Sequence, residues 1–286
     1  MADLPRTRSD YDPAGLDLVK ATCLDLASYL GDYWDDLVIV GGYVPTLLVE
    51  PNDGVEAHPG TLDVDLGLSL GVLEGDRYQE IANRLRQAGY EPAKKESGEP
   101  IHFCWRRPEE EGGVSVDFLI EDPGEGVKPG KSFHLGEEFA PICTEALAAA
   151  FADRIPVHLE GSTLRGEKIR RTVQVCGPAA FVVLKVYAFR NRGLPKDAFD
   201  LYYMIRNYGI AGPEDVAARW PLLRELDCSS AALGYLRDDF SSELSIGPRR
   251  VAEFVEQPDD DELAVDVVGF VGRLVELVQP GGFPDD

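Results

Sequence analysis

An α/β half followed by a helical half is the fold that this 286-residue sequence predicts, with residues 1–176 in the first part and 177–286 in the second. Three observations carry that reading. Before Cys176, short apolar runs alternate with amphipathic segments and with turns rich in glycine and proline. After it, Gly177-Pro178 opens a succession of helical patterns. Third, Asp63, Asp65 and Asp117 lie inside apolar, strand-like runs, where an ionised group normally needs a partner or a metal.

Residues 15–31 place apolar side chains at helical spacing and stop at Gly31. Leu37-Val-Ile-Val40 reads as a short buried strand running into Gly41-Gly42. Tyr43 to Glu50 reads as a short helix with Pro45 in its first turn, where a missing N–H costs little. Residues 51–60 are turn-rich and read as a loop at the mouth of a site. From Leu62 to Leu70 alternation is strict: leucines and Val64 point one way, and Asp63, Asp65, Gly67 and Ser69 the other.

Glu74–Gly89 has an amphipathic helical pattern. Strands are predicted at 101–106 and 114–120, with candidates at 156–159 and 171–176. Residues 121–131, rich in glycine, proline and charge, read as a surface loop. An apolar helix follows from Gly177-Pro178 to about Arg190, another from Pro195 through Tyr208, and the last from Ala264 to Val278.

Composition bounds the class. Hydrophobic residues make up 44% and charged residues 28%, as in ordinary globular proteins. No apolar signal region opens the sequence and no run reaches a membrane span, so the expectation is a cytoplasmic protein with no membrane partner. Five cysteines without paired spacing predict reduced thiols, not a zinc ribbon or a disulfide framework. The four histidines (His58, His102, His134, His158) are scattered and read as surface or structural residues.

A formal charge of −23 argues against indiscriminate nucleic-acid binding. Between Gly161 and Lys196, however, Arg165, Lys168, Arg170, Arg171, Lys185, Arg190, Arg192 and Lys196 face a single acid, Glu167. That strip is either a place for a phosphate-bearing substrate or a solvated face.

The chemistry starts from Asp63 and Asp65. Two apart on a strand, they put both carboxylates on one face, where they repel unless a cation lies between them. Mg²⁺ or Mn²⁺ shared with phosphate oxygens is the usual answer. Asp117, on a strand of similar pattern, would complete a two-metal cluster if the strands are neighbours: one ion for the triphosphate, one for the attacking hydroxyl. Gly41-Gly42 is either a tight turn or a close backbone approach to phosphate. Thr61 either contacts phosphate, orders the aspartate loop, or reflects β-propensity alone.

Lys185 is the single charge on an otherwise apolar helix core, so it either snorkels out or faces an anion. Asp197 and Asp200, three apart in Lys196-Asp197-Ala-Phe-Asp200, share a helix face. Asp197 fits a helix N-terminus. Asp200 needs a further reason: pairing with Lys185 or Arg190, or shaping a nucleotide pocket.

Taken in this order, Gly41-Gly42, Thr61-x-Asp63-x-Asp65, Asp117, Lys185 and Lys196-Asp197-x-x-Asp200-Leu201 resemble the AbiEii/AbiGii toxin family of nucleotidyltransferases, a branch of the DNA polymerase beta superfamily. The motifs span roughly residues 38–205. The resemblance implies a mixed-sheet nucleotidyltransferase core with a helical C-terminal half. It implies Mg²⁺–NTP on Asp63 and Asp65, with Lys185 on the triphosphate and Asp200 or Asp197 as the later acidic residue. It also implies transfer to RNA, typically tRNA, by a toxin with a cognate antitoxin. One departure stands out: the family often has Arg two residues before the Thr, and here that position is Pro59. Two other readings keep the same site: transfer to a small molecule or protein, or a non-catalytic nucleotide-binding interaction protein.

Overall fold

The computed structural model describes residues 6–12, 15–51, 54–71, 77–108, 113–136 and 138–278. Its first part is a mixed sheet built from β1 (Leu37–Val40), β2 (Asp63–Leu68), β3 (Glu91–Lys94), β4 (Pro100–Arg106), β5 (Ser115–Ile120), β6 (Ile142–Cys143), β7 (Arg154–Ser162) and β8 (Lys168–Cys176). Helices α1 (Gly15–Leu30), α2 (Val44–Leu48), α3 (Arg77–Gln87) and α4 (Ala148–Ala152) are interleaved with them. The second part is helical: α5 (Pro178–Arg192), α6 (Pro195–Asn207), α7 (Pro213–Ala217), α8 (Asp227–Phe240), α9 (Ile246–Phe254) and α10 (Asp261–Val278). This is the α+β arrangement expected, with strands ending at Cys176 and helices beyond.

The strands run β3-β4-β5-β2-β1-β8-β7, and β6 also pairs with β5. β2–β5 and β1–β8 are parallel, whereas β1–β2, β3–β4, β4–β5 and β7–β8 are antiparallel. Alternation decides the faces. Ile39, Val64, Leu66, Val116, Phe118, Val173 and Val175 are wholly buried on one face, against which α1 packs. Register puts Val40, Asp65 and Asp117 on the other face. There Leu147, at the start of α4, lies over Gly67, and α4 also packs on β1 and β8. The carboxylate end of β2 and β5 is left uncovered by α4.

Several expectations shift. Leu62 and Leu70, expected on the buried side of the strand, are 46% and 42% exposed because β2 runs only from Asp63 to Leu68. The predicted helix at 74–89 is observed from Arg77, and residues 74–76 lie outside the described residues. β3, with Pro92 and two charged residues, was not anticipated; it lies at the sheet's end, where a proline is tolerated. The hairpin β7–β8 is longer than its two candidate segments. All five cysteines are free, with Cys104 and Cys228 only partly buried. Among the described residues, no helix is long and apolar enough to cross a membrane.

Asp153 joins the two parts. Fully buried, it accepts N–H bonds from Ala179 and Ala180 at 3.1 Å, so it caps the start of α5. Its other oxygen takes the Arg219 guanidinium at 2.6 Å. A side chain at Gly177 would strike it, since a Cβ there would fall 2.1 Å from Asp153 Oδ1. The direction of α5, and with it the place of Lys185, is thus set from the sheet. One continuous apolar core runs through both parts.

Candidate functional site

Asp65 and Asp117 are direct register partners across the parallel pair β2–β5, and Asp63 pairs with Ser115 two residues along. The strand adjacency that the third aspartate required is present. Gly41, at φ +72°, turns the chain out of β1 against the carboxylates; a Cβ there would lie 1.8 Å from Asp65 Oδ2. Gly42 abuts the Thr61 hydroxyl in the same way, and that hydroxyl donates to Asp63. The glycine pair is therefore a tight turn that closes backbone onto the aspartates, and Thr61 orders the aspartate loop.

The carboxylates are poorly compensated. Asp65 is pushed well above the ordinary carboxylate range by burial first, then by Asp63 and Asp117; Lys185 and Arg192 offset this in part. Burial also raises Asp117, to about 6, with the Cys104 thiol opposing and Asp63 adding to the rise. Asp117 Oδ1 is buried without a hydrogen-bond partner. Crowded carboxylates with an unsatisfied oxygen fit a hard divalent cation. Among the described residues, however, no three His, Cys, Asp or Glu side chains converge closely enough to hold a metal by themselves. The closed three-aspartate cluster expected from the sequence is not pre-formed. An ion here needs phosphate or water to complete its shell.

Beside the carboxylates lies a second charged group of opposite character. Lys185 Nζ sits 3.1 Å from Asp197 and 2.8 Å from Asp200. Arg192 places Nε and Nη2 on the two oxygens of Asp197 at 2.7 and 2.8 Å. Lys196 Nζ straddles Asp200 at 2.8 and 2.9 Å. His58 Nε2 donates to Asp200 at 2.8 Å, an orientation set by Gly60, whose N–H donates to His58 Nδ1.

Burial would raise both aspartates, but Lys185 reverses it, helped by Arg192 at Asp197 and Lys196 at Asp200; both end below the ordinary range. Burial works against Lys185 too, yet Asp200 and Asp197 hold it above lysine's ordinary value. Lys196 is lowered by its burial. His58, lowered to about 4 chiefly by burial, is neutral.

Of the two fates expected for Lys185, facing an anion is observed, and the anions are the chain's own. Asp200 takes Lys185 as partner; Arg190 goes instead to Asp238 and Asp239. The basic strip does not converge on one place. Lys185, Arg192 and Lys196 join this network, Arg165 stacks on Tyr29, and Lys168, Arg170 and Arg171 stay exposed on β8.

A cavity of about 310 Å³ opens over the carboxylates. Gly41, Asp65, Asp117 and Lys185 line it, as do Arg192 and an apolar wall that includes Leu119, Ile142, Phe181, Leu184 and Tyr187. Gly42, Thr61, Asp63, Lys196, Asp197 and Asp200 stand behind this lining. Sequence reasoning missed His58, which it set among four scattered histidines. The available signal was its place in His58-Pro-Gly-Thr61, three residues before a motif threonine. It named Arg192 only as one member of the basic strip, and it missed the thiol of Cys104.

No protein-family model matches the chain, and a search of curated proteins returned no match. The resemblance to AbiEii/AbiGii proteins thus rests on the motif residues alone. Among solved structures, the chain is similar to an antigenic nucleotidyltransferase-like protein from Paracoccidioides brasiliensis at 16% identity and a TM-score of 0.39. The match covers 77% of this chain and 87% of that one. At that score the likeness carries no weight for function.

Proposed function

We propose that this chain is a Mg²⁺-dependent nucleotidyltransferase that moves a nucleotide from an NTP to a hydroxyl of RNA. The carrying observation is the register pair Asp65–Asp117, under-compensated and lining a cavity that Lys185, Arg192 and Glu145 also line. Asp63, Asp65 and Asp117 would hold Mg²⁺, which when bound offsets triphosphate charge and makes the acceptor hydroxyl more acidic. The apolar wall of Phe181, Leu184 and Tyr187 gives the nucleoside a surface shielded from water.

In the reaction, the acceptor oxygen bonds to the α-phosphorus and the bond from that phosphorus to the bridging oxygen breaks. Pyrophosphate leaves with the electron pair, and the hydroxyl proton passes to solvent. RNA as acceptor is supported by Arg154, Lys168, Arg170 and Arg171, which are exposed on hairpin β7–β8 of an otherwise acidic chain. A toxin role with a neutralising antitoxin is supported by the motif resemblance.

Incubation with Mg²⁺, each labelled NTP and total tRNA tests the reading. Labelled RNA is the expected result, and Asp65→Asn should reduce it at least ~100-fold. Label on protein or on a small molecule would move the acceptor. NTP binding without any transfer would leave a nucleotide-binding interaction protein.

A further inference from the structure

A triphosphate tail carries more negative charge than a divalent ion offsets, so a cation of the chain must meet it. Three candidates stand near the carboxylates. Lys185 lines the cavity, but its ammonium is held by two carboxylates and its side chain is only 8% exposed. Pulling it toward phosphate would strip Asp197 and Asp200 of their main counter-charge while they remain buried. Lys196 is spent on both oxygens of Asp200, is 11% exposed, and is not part of the cavity lining.

Arg192 differs from both. It is the last residue of α5, its side chain is 54% exposed, and it lines the cavity with Asp65 and Asp117. Asp197 occupies its Nε and Nη2 edge, while Nη1 has no protein hydrogen-bond partner among the described residues. A guanidinium has five donors on a rigid plane, so one edge can stay on a carboxylate while another addresses phosphate. A lysine ammonium gathers its three donors at one point and has no second edge of this kind.

We infer that Arg192 is the residue that binds the β- and γ-phosphates of the nucleotide, oriented by Asp197, and that Lys185 is a positioning residue beneath it. The inference rests on the nucleotidyltransferase reading and names a contact within it. Asp197 then has a purpose beyond balancing Lys185: it fixes the plane of the guanidinium before substrate arrives. Its neighbour Asn191 is tied to Glu145 at 3.0 Å, which anchors the chain on the other side of the same turn.

The test is calorimetric binding of inorganic tripolyphosphate and of each NTP, with Mg²⁺ present, to the full chain. Wild type should bind both. Arg192→Gln should weaken both by roughly tenfold or more, the scale of one charge-assisted contact, in a variant that stays folded by circular dichroism but melts lower because Asp197 loses one partner. Arg192→Lys should recover only part of the loss, because an ammonium gathers its donors at one point and lacks the separate edges that let a guanidinium hold Asp197 bidentately and still face phosphate. With turnover measurable, Arg192→Gln should raise KM for the NTP more than it lowers kcat.

Wild-type binding with unchanged affinity in Arg192→Gln would overturn the assignment and leave the nucleotidyltransferase reading standing. Full recovery in Arg192→Lys would overturn the bidentate argument and reduce Arg192 to a point charge. No binding of any NTP by wild type would overturn the reading and the assignment together.

Discussion

The two charged groups of this molecule share a neighbourhood and differ in balance. On β2 and β5, three carboxylates share one face with no cationic side chain of the described residues paired to them, and Asp65 and Asp117 hold their protons more tightly than free carboxylates. On α5 and α6, Lys185, Arg192 and Lys196 surround Asp197 and Asp200, both of which lose their protons more easily. The first group is incomplete without a ligand. The second satisfies both of its carboxylates and keeps one edge of Arg192 over for an anion. Unpaired carboxylates mark the place for a cation, and the paired network holds helices together while presenting one guanidinium to the cavity.

The largest expected effect breaks this contrast by deleting one charge from each group. Asp200→Asn leaves Lys185 and Lys196 buried beside a neutral amide, and losing one partner of a buried network costs about 3–5 kcal/mol. Asp65→Asn instead relieves repulsion from Asp63 and Asp117, so stability should hold or rise while NTP binding is lost. Urea unfolding of the two variants against wild type measures both. Equal stability of Asp200→Asn and wild type would mean that the network is no brace.

The contrast was only partly visible in the sequence. A carboxylate every second residue in an apolar run, and one lysine on an apolar helix, are local anomalies that periodicity exposes. That Asp65 meets Asp117 is a fact of strand pairing across 52 positions, and it was inferred only as a condition. His58 reaches Asp200 across 142 residues, and no local pattern marks such a contact. Arg192 looked like one member of a basic strip. What distinguishes it is which of its nitrogens Asp197 leaves free, a property of side-chain geometry. β3 escaped because its residues are chosen for an exposed edge, where strand composition relaxes.

A second effect comes from pH, where the two groups pull in opposite directions. Asp117 has a folded pKa of about 6 against an ordinary 3.8. Between those values the native state binds more protons than the unfolded chain, so its contribution is present at low pH and is lost as pH rises through 6. Asp65 adds the same sign. His58 is the reverse: its folded pKa is about 4 against 6.5, so its contribution is present above 6.5 and is lost as pH falls toward 4. Wild-type stability should therefore rise on acidification from pH 6.5 to 5, two carboxylates outweighing one histidine. Asp117→Asn should flatten that rise across the window. His58→Ala, about 2 kcal/mol less stable for its lost bond to Asp200, should gain on acidification. Urea midpoints at several pH values measure all three, and parallel profiles for the two variants would refute the opposed signs.

The smallest effect sharpens the comparison by supplying what the first group lacks. Mg²⁺ binding between Asp63, Asp65 and Asp117 stabilises the folded chain by mass action, about 1.4 kcal/mol when free ion is tenfold above Kd. For a chain of this size that is a melting shift of roughly 3 °C. The shift should shrink from pH 7.5 to pH 5, because protons compete for Asp65 and Asp117, which are raised toward that range. Asp65→Asn should abolish it, whereas His58→Ala should keep it, since that change lies at Asp200 in the other group. Matching the ionic strength with potassium chloride separates binding from screening: an equal shift with potassium would mean that the cations merely relieve the general acidity of a chain carrying −23. A shift specific to the divalent ion, lost with Asp65 and retained without His58, would place the cation on β2 and β5 and leave the α5–α6 network as its rigid wall.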